Sequence, residues 1–201
     1  MSIRNKILWG LLIGFVVIGV VTTIATRYAV ILSVKQGSPA SRMIPAVITQ
    51  TEGGIRVRAR VLSERDTAYD VLLVTSFLIF EVEVENRGKD WIDLDHAQFF
   101  FQDGDRWIRP LSREEVSSAI TGRFIGTSLS PSGTGRQMSL IQKADEGMLD
   151  TARIFPGFQR KGLVFFNLSA TIEEPIILKL EEVRTPEKKI GPFVFRFSFR
   201  S

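Results

Sequence analysis

The chain has 201 residues, 44% of them hydrophobic and 24% charged, which is the balance of a folded protein rather than a disordered one. It has no cysteine and one histidine, His96. That excludes disulfides, thiolate metal sites, a catalytic thiol and a lipid-bearing cysteine, and argues against a multi-histidine metal site or a histidine relay.

The formal charge of +4 is unevenly placed. The first 45 residues carry Arg4, Lys6, Arg27, Lys35 and Arg42 and no acid; removing these five from 26 leaves 21 basic against 22 acidic side chains, a formal −1. Basic residues gathered around an apolar run point to a membrane rather than to nucleic acid. That run, Ile7 to Ala25, is 19 residues without a charge. At about 1.5 Å per residue it spans roughly 28 Å, close to the thickness of a bilayer core. Trp9 and Tyr28 suit the two interfaces. The alternative is a cleaved signal peptide, whose apolar core is usually shorter. Residues 1–35 are therefore read as a signal-anchor helix and its flanks. The short N-terminal stub is placed in the cytoplasm and the large C-terminal part outside it. Gly10 and Gly14 form a Gly-x-x-x-Gly spacing, a face on which a second membrane helix could pack closely.

Residues 36–45 read as a linker, and 46–201 as one β-sandwich domain. Ala46 to Thr51 precedes a Gly53-Gly54 turn. Ile55, Val57, Ala59 and Val61 alternate with Arg56, Arg58 and Arg60. Leu78, Phe80, Val82 and Val84 alternate with Glu81, Glu83 and Glu85. Such alternation predicts strands with one buried and one wet face, and antiparallel pairing would set three arginines opposite three glutamates. Ala97–Gln102, an Asp103-Gly104 turn and Arg106–Arg109 predict a hairpin. Further strands are expected at Leu163–Leu168, at Ile176–Leu180 and along Phe193, Phe195, Phe197 and Phe199, giving seven or eight in all.

Residues 112–151 interrupt this pattern. Ser112 followed by Glu115 is a capping box, predicting a helix to about Ile120. A Gly/Ser-rich loop is expected over Gly126–Arg136 and a second helix over Met138–Thr151. Gly126, Ser128, Ser130, Ser132, Gly133 and Gly135 bury too little apolar area to order themselves, so the loop is a candidate partner contact, ordered only on binding.

Chemistry-bearing motifs are weak. Gly133-Thr134-Gly135-Arg136 lacks the lysine and the spacing of a phosphate loop. Asp90, Asp93, Asp95, Asp103 and Asp105 lack EF-hand spacing and read as turn formers. No nucleophile elbow accompanies His96. Asn167-Leu168-Ser169 is a glycosylation sequon at a strand end. No catalytic, cofactor-binding or metal residues are assigned.

The turns Asn86-x-Gly88, Asp103-Gly104 and Pro156-Gly157, with Gly162 before an apolar strand, resemble those of the telokin-like, immunoglobulin-like sandwiches of bacterial secreted and membrane-anchored proteins. The resemblance implies a binding or structural module and not an enzyme. The expectation is thus a membrane-anchored extracytoplasmic module that binds or braces a protein partner, such as an accessory subunit of a larger membrane complex. The alternative is a sandwich that captures a small molecule, ion or glycan at its loops.

Overall fold

The two alternating charged strands pair as their residues dictate. In the computed structural model, which describes residues 46–198 apart from 64, 65, 67–69, 125–130, 168–171 and 173, Arg56 faces Glu85, Arg58 faces Glu83 and Arg60 faces Glu81 across an antiparallel ladder. Those strands are β2 (Ile55–Val61) and β3 (Phe77–Asn86). With β1 (Ile48–Glu52) and β6 (Gln159–Asn167) they make sheet I, in the order β1-β2-β3-β6. Sheet II holds β4 (Gln98–Asp103), β5 (Arg106–Ile108), β7 (Ile176–Glu181) and β10 (Phe193–Phe197), in the order β10-β7-β4-β5. A small ribbon pairs β8 (Val183–Arg184) with β9 (Lys189–Ile190). Among the described residues there are ten strands, more than the seven or eight expected, because the two short ribbon strands carry no alternation of their own.

Among the described residues every strand pair is antiparallel. The runs β2-β3-β6 and β10-β7-β4-β5 take the places of strands A-B-E and G-F-C-C′ in an immunoglobulin sandwich. Where strand D would lie, the chain instead forms helices. The inner faces meet in one core of Val57, Phe80, Val82, Phe101, Phe166, Leu178 and Phe195 with their neighbours, all buried. Phe80 touches the rings of Phe101, Phe166 and Phe197 at centroid distances of 5.7, 5.8 and 5.2 Å. Each buried side chain of this size contributes about 1.5–3 kcal/mol relative to exposure.

The outer face of sheet I is divided. At one end it carries the ionic ladder. At the other, Phe77, Ile79, Leu163 and Phe165 face outward and are buried under Val116 and Ile120 of α2 (Arg113–Phe124) and Leu140 and Ala144 of α3 (Pro131–Gly147). Leu73 and Val74 of α1 (Val71–Ser76) complete this second core. This explains why β3 begins with an unbroken apolar run and only then alternates: Phe77–Phe80 is covered on both faces, Glu81–Asn86 on one.

The capping box forms as predicted. Ser112 N–H donates to Glu115 Oε2 at 2.8 Å, and Glu115 N–H donates to Ser112 Oγ at 3.2 Å. The expected loop requires correction. Positions 131–136 lie in α3, so Ser132, Gly133 and Gly135 belong to a helix. Proline suits a first helical turn, and the packing of Leu140 and Ala144 further along outweighs the poor propensity of glycine and serine. The helix also ends earlier than expected, at Gly147. Gly126, Ser128 and Ser130 lie outside the described residues, as do Gly10, Gly14, the span 7–25 and the linker. Among the described residues no helix is long and apolar enough to cross a membrane.

Candidate functional site

One end of the sandwich is organised by a single buried residue. Asn86 closes β3 and is 0% exposed. Its side-chain amide donates to Ile154 O at 2.9 Å and Asp90 O at 2.8 Å, and its Oδ1 accepts from Gly88 N–H at 2.9 Å. Its backbone N–H donates to Phe158 O at 2.9 Å, and its backbone oxygen accepts from Gly157 N–H at 2.8 Å. Ile92 and Ile154 exchange two backbone bonds beside it. An asparagine read from sequence as a turn former is therefore the hub of two loops.

What the hub holds in place is the turn Phe155-Pro156-Gly157-Phe158. Gly157 has φ 81°, a conformation that side chains disfavour. Phe158 N–H closes the turn on Phe155 O at 3.1 Å. Both phenylalanines point into solvent, 59% and 68% exposed. Beside them the Arg153 guanidinium lies 4.4 Å from the Trp91 ring centroid and 3.9 Å from Asp93. Arg87 pairs with Glu85 at 2.8 Å, and this bond, foremost among the surrounding charges, lowers the Glu85 carboxyl. Lys89 is exposed on the same loop. Exposed aromatic and arginine side chains on a fixed backbone are the composition of protein-contact hot spots.

The site lies at the Gly53-Gly54 end of β1. β1 runs from Ile48 to the Gly53-Gly54 turn, and Gly54 O accepts from Arg87 N–H at 2.8 Å. Five residues of strand put about 17 Å between the two ends.

The other motifs separate. Asp103 is buried and accepts from Arg106 at 2.8 Å, Asp93 caps the Asp95 N–H at 2.8 Å, and His96 is exposed in a turn. The hairpin at Asp103 places Gly104 first in its two-residue loop with φ 58°, as a type II′ turn requires. Asn167 is exposed at the end of β6.

A second feature lies on the side of the sandwich. A cavity of about 440 Å³ opens between the edges of β4 and β6, lined chiefly by Phe99, Leu111, Met148, Leu149, Leu163 and Phe165, with Arg109 and Thr151 among its polar residues. Arg109 makes two bonds to the Glu115 carboxylate, which they lower to about 2 together with the Ser112 N–H.

No family model matches the chain, and no curated protein matches it. Solved structures do. The yjhA protein from Bacillus subtilis is similar at 17% identity over 67% of this chain and 77% of that one, with a TM-score of 0.38. The secreted protein MPT63 from Mycobacterium tuberculosis is similar at 12% identity over 75% and 92%, with a TM-score of 0.36. The archaellum periplasmic stator protein complex of FlaF and FlaG from Sulfolobus acidocaldarius gives 13% identity over 60% and 76%, with a TM-score of 0.29. At these scores the fold rests on the strand order of this chain itself.

Proposed function

We propose that this chain is a membrane-anchored extracytoplasmic module, without a catalytic role, that binds or braces a protein partner through the turn Phe155–Phe158. The observation that carries the proposal is the fixing of two exposed phenylalanines by the hydrogen bonds of buried Asn86. A backbone already ordered loses little entropy on binding, and each ring buried by a partner contributes about 1.5–3 kcal/mol. The anchor itself is the sequence expectation at 7–25, and carbonate extraction tests it: release of the full-length protein with the soluble fraction contradicts it.

The contact is tested by the double variant F155A/F158A. Gentle detergent extraction and native sizing should show the wild-type chain in a discrete complex and the variant free, with melting nearly unchanged because both rings are exposed. Retention of the complex by the variant contradicts the reading. A monomeric wild-type chain that gains thermal stability with a metal or a sugar favours capture of a small ligand instead.

A further inference from the structure

The side cavity has a feature that an apolar ligand does not use. β4 and β5 are joined by a two-residue loop, with Asp103 opposite Arg106 and Phe101 opposite Ile108. In such a hairpin these are the pairs that exchange hydrogen bonds, so the backbone N–H and C=O of every second residue of β4 point toward β5. The next in that series is Phe99. Its register partner would be Pro110, which has no N–H, and the β5 ladder has ended at Ile108. Across the other edge, Phe99 faces Leu180 of β7 in the alternate position, where no ladder bonds form. Among the described residues no turn or loop backbone group bonds the Phe99 N–H or C=O, and Phe99 lines the cavity.

The opposite wall differs. The β6 edge is already occupied: Leu149 N–H donates to Leu163 O at 3.0 Å, and Leu111 N–H donates to Phe165 O at 2.8 Å. The cavity is thus an apolar trough with one open rung of sheet on one wall and none on the other. An open N–H and C=O pair on a strand edge beside an apolar trough is what an added strand uses: backbone bonds on one side and side-chain contacts on the other.

We propose that this trough is a strand-addition site, which takes a short extended segment of a partner polypeptide with apolar residues at alternate positions. The segment pairs with Phe99 and lays one face of its side chains against Leu111, Leu149 and Leu163. This contact is separate from the Phe155–Phe158 turn, so the two succeed or fail independently.

The test selects a displayed library of random short peptides on the full-length protein in detergent. The expected result is an enriched family with period-two apolar alternation, whose binding slows hydrogen exchange at the Phe99 amide. Ala97→Trp, which fills the trough, should weaken binding at least about tenfold, a change of about 1.4 kcal/mol. Thr151→Trp at the rim serves as a second variant if the first fails to fold. F155A/F158A should leave peptide binding unchanged. The proposal is overturned if no family enriches, if the enriched peptides bind the folded tryptophan variants as well as wild type, or if Phe99 exchange is unmoved. A concentration-dependent dimer abolished by Ala97→Trp, with no peptide family, also overturns it and makes a second copy the occupant.

Discussion

On its β1–β10 side the sandwich is latched by one side chain. Gln50 on β1 receives the Val194 N–H of β10 at 3.0 Å and donates back to Val194 O, joining the two sheets through a pair of bonds to one residue. On the β4–β6 side no such latch forms among the described residues. The place of an immunoglobulin D strand is given to α2 and α3, which leave the edge to cover the outer face of sheet I, while Leu111 and Leu149 return to β6 through backbone bonds. The difference shows what the helical insertion does. It adds a second core of Phe77, Ile79, Leu163 and Phe165, and it leaves one side of the first core open as a trough.

The comparison can be broken from either side. The largest effect is expected at Gly162, where an added Cβ would stand 2.3 Å from Leu149 Cα and 2.6 Å from its nitrogen. Gly162→Ala should force residues 148–149 off β6 and cost about 1–3 kcal/mol, read as a lower midpoint in denaturant unfolding. A wild-type midpoint would show that this backbone approach is not tight. Gln50→Ala comes next. It leaves the half-buried Val194 N–H and C=O without partners and should cost about 1–2 kcal/mol, with faster exchange of the Val194 amide. Unchanged exchange at Val194 would mean that the latch does not hold the edge.

The smallest effect is a pH dependence. The Arg109 hydrogen bonds, followed by the Ser112 N–H, lower the Glu115 carboxyl to about 2 from an ordinary value of 4.5. A carboxylate depressed by folding stabilises the folded state above its unfolded pKa, and that contribution is lost as pH falls through the folded one. Melting temperature should therefore decline in part through Glu115 between about pH 4.5 and 2, and Glu115→Gln should flatten that decline. Equal slopes for the two proteins would show that the pair does not hold the start of α2.

The residues legible in sequence are those whose partners lie nearby or whose period is strict. Arg56, Arg58 and Arg60 against Glu81, Glu83 and Glu85 could be matched because alternation and charge both specify the register. Ser112 and Glu115 could be matched because a capping box is local. Phe77 and Ile79 could not be assigned to a second core, since what covers them comes from residues 116–144. α1 went unread because Val71–Ser76 is short and rich in β-branched residues, which favour strands. Pro131–Arg136 read as a loop because glycine and serine are poor helix formers, and packing further along the helix prevailed. For the candidate site, Asn86-x-Gly88 and Pro156-Gly157 were visible as turns. Their joining through a hydrogen bond spanning 68 residues was not, nor was the open rung at Phe99, which depends on where β5 ends.

The account rests most on the claim that the Phe155–Phe158 turn meets a partner. A photoreactive phenylalanine analogue in place of Phe155, activated in intact cells, tests it directly. The same analogue in place of Met138, 66% exposed on α3, provides the comparison. The account predicts one discrete protein adduct from position 155 and none from position 138. No adduct at 155, or the same adducts from both positions, would contradict it.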